Sequence, residues 1–222
     1  MRRLLRLTTM MAVGIAVGFA AHQVLALPGT ALKTKAACAA CHANPAGGPE
    51  LTDAGKAFKA DSTKLPPADV KGPQYLGSNM CGACHRAEFA AWKQTKHATA
   101  FAALKKGDPK VVAAMATKLK IEITGSPDKT DACVTCHVTG FHLPGGYPAA
   151  DSASTAAVTN VACEACHGPG GGHITAPKSE KPNTINGAPS EAMCRSCHTA
   201  ATSPNFKLAD YMKTGVHAVA KE

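Results

Sequence analysis

The sequence predicts a mostly α-helical chain with long loops, whose core is formed by covalently attached groups more than by its own side chains. Three observations carry this expectation. Aromatic residues make up only 5% of the 222 residues, few for a core of that size. Segments with helical periodicity are short and are separated by stretches rich in glycine and proline. A pair of cysteines followed at once by a histidine recurs five times.

The first element is a leader. Arg2, Arg3 and Arg6 precede an apolar run from about Met10 to Ala21, and Val24-Leu25-Ala26 follows. This order reads as a secretory signal peptide, residues 1–26, cut after Ala26. The run of about 12 apolar residues is too short to span a bilayer. The product is then exported, to the periplasm, with an extracellular destination as the alternative. Without the three leader arginines the formal charge falls from +9 to +6. A basic balance can signal nucleic acid. Export argues against that, and the lysines read as scattered rather than gathered into a tract.

Residues 27–75 read as an N-terminal segment with one motif and a linker. A loop at 44–49 leads to LTDAGKAFKAD, where Thr52 or Asp53 can cap a short helix. The proline-bearing stretch 62–77 then reads as a linker or extended crossing segment. Residues 76–222 form a second unit with four motifs. Residues 86–106 carry Phe89, Trp92 and Ala100 at helical spacing, with lysines between, and predict one helix. Asp108-Pro109 suits the cap and first position of the next helix, to about Lys118. LKIEITG predicts a short strand, and residues 140–162 read as loop-rich. Residues 203–219 predict a closing helix, capped by Ser203 with Pro204 at its start.

The motifs decide the class. The ten cysteines fall as Cys38 and Cys41, Cys81 and Cys84, Cys133 and Cys136, Cys163 and Cys166, and Cys194 and Cys197. The next residue is always histidine: His42, His85, His137, His167 and His198. This is the c-type haem attachment pattern. Two residues between the thiols let both sulfurs reach the two vinyl groups on one edge of a porphyrin. The adjacent histidine then provides the proximal ligand to iron. Structural zinc sites use cysteine pairs in twos, and five pairs do not divide that way. Neither zinc nor a redox dithiol accounts for the five histidines. Five covalently bound c-type haems follow, with about 39 residues of the exported chain for each. Each haem carries a charge of about −1 oxidised and about −2 reduced, so the basic chain serves mainly to balance its cofactors rather than to attract an acidic partner.

Apart from the motifs and His22 of the leader, four histidines remain as second axial ligands: His97, His142, His173 and His217. Four cannot serve five irons. Methionine (Met80, Met115, Met193, Met212), an open site or a second chain must make up the difference. Reach restricts the pairings. Six residues span at most about 20 Å, barely enough to pass around a ring edge, so His173 is badly placed for the iron of His167. His142, five residues from His137, is worse placed. His97, on a helix leading away from His85, points elsewhere. Each is better suited to a neighbouring haem, which draws the haems together. Trp92 and Phe89 read as ring packing.

The stretches GSNMCGACHRAEFAAWKQTKHATAF, CVTCHVTGF with PGGY, VACEACHGPGGGH, and MCRSCHTAATSPNFKLADYMKTGVH resemble the cytochrome c-554 family of multihaem cytochromes. They cover residues 76 to about 219. The family is tetrahaem, so the motif at Cys38 is an addition. The resemblance implies that His97 completes the haem of His167, His173 that of His85 and His217 that of His198, leaving the haem of His137 five-coordinate. It gives His142 no role, so His142 is a candidate for the added haem of His42. It implies an electron carrier between redox proteins in respiratory electron transfer. Nitric oxide reductase activity is reported for some relatives, so nitrogen-oxide or hydroxylamine chemistry at an open haem is one alternative. A subunit of an extracellular haem filament is another. The sequence leaves the oligomeric state open.

Overall fold

Short helices and turns alternate with extended loops in the computed structural model, which describes residues 28–217 apart from 124 and 215. The expected signal peptide lies outside these residues. The helices are α1 (Pro28–Thr34), α2 (Cys38–Cys41), α3 (Asp53–Ala60), α4 (Ser78–Gly82), α5 (Arg86–Trp92), α6 (Ala100–Lys106), α7 (Pro109–Leu119) and α8 (Asp131–Val134). They continue with α9 (Ser152–Val158), α10 (Cys163–His167), α11 (Gly171–Thr175), α12 (Glu191–Arg195) and α13 (Leu208–Thr214). Among the described residues there is no strand beyond two isolated bridges, His42 with Leu51 and Val138 with Thr159. The expected class, mostly α with long loops, is the one observed. No helix of the described residues is long and apolar enough to cross a membrane.

Local chemistry explains most boundaries. Thr52 caps α3 by accepting from Gly55 N at 3.1 Å. Asp108 caps α7 by accepting from Lys110 N at 2.7 Å, with Pro109 at the first position, and α7 ends with Lys120 in the left-handed region. After turns at 61–65 the chain runs on to meet residues 144 and 171. Tyr75 N donates to Pro144 O, and Gly171 N donates to Gln74 O, each at 3.0 Å.

Four expectations need correction. The single helix over 86–106 is broken in two. Thr95 is extended and its hydroxyl donates to Trp92 O at 2.7 Å, so α5 stops there and a 3₁₀ turn (Lys96–Thr99) leads into α6. Among the described residues of LKIEITG the expected strand is absent. Ile121 and Ile123 line a cavity instead, and no neighbouring strand offers a ladder. The closing helix begins at Leu208, not Ser203, because the Ser203 hydroxyl is used by the His198 ring at 2.9 Å. The loop-rich stretch 140–162 contains α9, which Asp151 caps by accepting from Ala153 N and Ser154 N.

The side-chain core is small. Phe101, Leu104, Val134, Val138 and Phe141 cluster where α6 packs on α8, and Tyr147 lies against them. Trp92 stacks on Phe89 and donates from Nε1 to Val161 O at 3.0 Å, which is the ring packing expected of it. A larger space, about 600 Å³, lies between the motifs.

Candidate haem sites

Each cysteine pair lies on or beside a one-turn helix, which sets both thiols on one side and carries the chain into its histidine. This holds for α2, α4, α8, α10 and α12. Thiols of different motifs meet in twos. Cys81 and Cys163 lie close enough to shift each other's ionisation, as do Cys136 and Cys197. Cys166 lies close enough to Cys194 and Cys197 for their charges to raise it further, though burial is the main cause that pushes it up to about 12. Among the described residues no three His, Cys, Asp or Glu side chains converge as an ion site.

The histidines pair across open space. The rings of His85 and His173 have centroids 6.4 Å apart, those of His167 and His217 6.0 Å, and those of His97 and His198 6.0 Å. An iron held at about 2 Å from one nitrogen of each ring sets the two centroids about 6 Å apart. The pairs therefore have the spacing that one haem iron requires, and no ring faces the histidine of its own motif. Reach around a porphyrin predicts this for His173 and His97 and does not bear on His217. The partners differ from the resemblance in two cases: His97 faces His198, not His167, and His217 faces His167, not His198. The break at Thr95 turns His97 away from the α5 axis, and the late start of α13 carries His217 further along.

The other ring nitrogen is fixed by a hydrogen bond. His137, His167 and His173 donate from Nδ1 to Ala100 O (2.6 Å), Asn186 O (2.7 Å) and Lys181 O (3.0 Å). A carbonyl only accepts, so Nδ1 carries the proton and Nε2 keeps its lone pair for a metal. His198 Nδ1 lies 2.9 Å from the Ser203 hydroxyl. Burial lowers the pKa of His167 and of His198, which favours the neutral, ligating form. These carbonyl acceptors have no signature in the sequence, because any residue can supply one.

His137 and His142 stand apart from the pairs. His137 lines the 600 Å³ cavity with Leu104, Met115 and Cys133, and no described histidine ring stacks against it. His142 is exposed, packs on Phe141 and points Nε2 at Asp131, 3.9 Å away. The structure does not bring it to His42. His42 itself is buried, at 7% exposure. Its loop is anchored by Thr52 Oγ1 donating to Ala40 O and by Asn44 Nδ2 donating to Ile185 O, both at 2.9 Å. Gly168 has a positive φ of 78°, and a side chain there would strike the Ala46 carbonyl, so glycine lets the two motifs approach.

Opposed imidazoles with metal-ready nitrogens, paired thiols beside them and a cavity between motifs fit covalently bound haem. Residues 80–168 match the family described as "Cytochrome c554 and c-prime". Over 96 residues, 43% of this chain, the sequence is 38% identical to cytochrome c-554 of Nitrosomonas europaea. The matched part spans 39% of that relative's length. The structure of the reduced state of cytochrome c554 from Nitrosomonas europaea superposes with a TM-score of 0.51, covering 65% of this chain and 85% of that one at 24% identity. At that identity the superposition speaks to fold alone.

Proposed function

Because residues 80–168 place the chain in the cytochrome c-554 family, we propose that it is an exported pentahaem c-type cytochrome that carries electrons between redox proteins in respiratory electron transfer. The observation that carries this reading is the set of three opposed histidine pairs at 6.0–6.4 Å. Haem bound at such sites supplies one-electron chemistry at iron. The chain's own residues fix the rest. The five cysteine pairs attach the groups. His85 with His173, His167 with His217 and His198 with His97 hold three irons from both faces. His42 and His137 supply proximal ligands to the other two.

Contacts between thiols support an order for the sites. Cys81 meets Cys163, Cys166 neighbours Cys194 and Cys197, and Cys197 meets Cys136. The order is His85, His167, His198, His137. The added site branches from this order beside His167. Ala46 abuts Gly168, and Asn44 binds Ile185, the neighbour of the Asn186 that holds His167. With Cys38 and Cys41 both changed to serine, the secreted protein is expected to keep four haems by pyridine haemochrome assay and all three low-spin pairs. Loss of more than one haem would contradict a branch position for this site.

The lysines support a docking end. Residues 86–129 hold nine basic and four acidic residues. All eight of their lysines are exposed, and six of them, from Lys105 to Lys129, lie on the elements around the His137 cavity. Within this stretch they are gathered, contrary to the scattered distribution expected along the chain. The inner face of α7, including Val112, Met115 and Leu119, closes the cavity beside His137, so a partner on its outer face comes close to that site. Electron exchange with an acidic redox protein is expected to slow as salt rises, measured by stopped flow. An unchanged rate would contradict a charged docking face. The cavity beside His137 also supports a second reading, binding of a small nitrogen oxide there. Its test is a high-spin signal that shifts with nitric oxide, together with turnover.

A further inference from the structure

Glu164 sits between the two cysteines of α10 and is 2% exposed. Buried carboxylates are rare unless something compensates them. Here the compensation is entirely backbone N–H. Gly77 N donates to one oxygen and Gly170 N to the other, each at 2.7 Å, and Leu76 N lies 3.0 Å from both. Leu76 and Gly77 lead into α4, which carries Cys81. Gly170 lies in the loop that delivers His173 to face His85. One carboxylate thus joins the attachment loop of the His167 site to both halves of the His85 site. It also lies near the contact of those two sites, because it acts electrostatically on both Cys81 and Cys163.

We propose that Glu164 is a fixed anion at the junction of the His85 and His167 sites, and that it makes them the low-potential end of the series. Its charge state follows from its partners: each oxygen faces N–H donors, and a protonated carboxyl would turn an O–H towards one of them. Burial is the larger cause and leaves the carboxyl above its ordinary value, while the hydrogen bonds from Gly170, Gly77 and Leu76 hold that rise back. A negative charge favours the more positive, oxidised iron. At a separation on the order of 10 Å and an effective dielectric of about 20, the bias in the oxidised-to-reduced ratio is roughly tenfold. The His137 and His198 sites lie further along the order and feel it less. Electrons entering the series then run from the His85 end towards His137, where the lysines gather.

The inference rests on the haem reading above, and the test separates the two. The whole exported protein is titrated electrochemically while its paramagnetic resonance is recorded. Ring planes in the His85 and His167 pairs are near parallel, at 29° and 25°, whereas those of the His198 pair are inclined at 62°. The two kinds of pair give different low-spin signals, so the potentials can be assigned. Glu164→Gln removes the charge at nearly constant size. It is expected to raise the potentials of the two near-parallel sites, changing their oxidised-to-reduced ratio about tenfold, and to leave the inclined site in place. Glu164→Asp keeps the charge with a shorter reach, and is expected to keep the low potentials even where thermal stability falls. Equal shifts in both variants, or no shift in Glu164→Gln, would overturn the charge role and leave only a clamp. If Glu164→Gln does not accumulate, a raised potential in Glu164→Asp overturns it instead. Absence of low-spin signals in the unaltered protein would strike the haem reading itself.

Discussion

Replacing His173 by alanine is expected to turn the His85 site from six- to five-coordinate. His173 is the one described histidine ring that lies 6.4 Å from His85, and its Nδ1 is held by Lys181 O. The short helix α11, launched by the glycines after His167, carries no other histidine within reach. One low-spin signal of the near-parallel kind should vanish and the high-spin signal should grow, with the other two pairs unchanged. Five haems should still be attached, since no cysteine is touched. Loss of the His167 signal instead would mean that His173 serves its own motif, against both the reach arithmetic and the observed pairing.

A second large effect is expected at the middle of the series. Changing Cys163 and Cys166 together to serine removes the attachment that lies among Cys81, Cys194 and Cys197. The side-chain core of five clustered residues beside α6 and α8 cannot hold the rest, because much of the apolar burial must come from bound groups. The yield of soluble holoprotein is expected to fall by an order of magnitude or more. The Cys38 and Cys41 double variant, whose site is a branch of the order, should accumulate nearly as the parent does. Comparable yields of the two variants, measured by haem content per cell, would contradict a central place for the His167 site.

The sequence made the attachment chemistry legible because it is written in adjacent residues: a cysteine, two residues, a cysteine, a histidine. Caps were legible for the same reason at Thr52 and at Asp108 with Pro109. The distal partners were half legible. Reach excluded the histidine of the same motif, but two of the three pairings implied by resemblance were exchanged. Those pairings depend on Thr95 breaking a helix and on Ser203 binding His198 instead of capping α13, and both are tertiary choices made against good local propensity. The carbonyls that orient His137, His167 and His173 left no trace in the sequence. Glu164 was visible only as one letter inside a motif. Its meaning comes from Gly77 and Gly170, brought to it from before and after.

Low-temperature paramagnetic resonance of the fully oxidised protein distinguishes three opposed histidine pairs that share one iron each from rings that merely lie near one another. Parallel imidazole planes lift the degeneracy of the iron d orbitals that they share, while crossed planes average their effects, so the two arrangements differ in g anisotropy. Angles of 25°, 29° and 62° predict two low-spin signals of the rhombic kind and one of large anisotropy. The signal of large anisotropy should be lost in His97→Ala. A spectrum with one kind of low-spin signal only, or one in which His97→Ala removes a rhombic signal, would contradict the account.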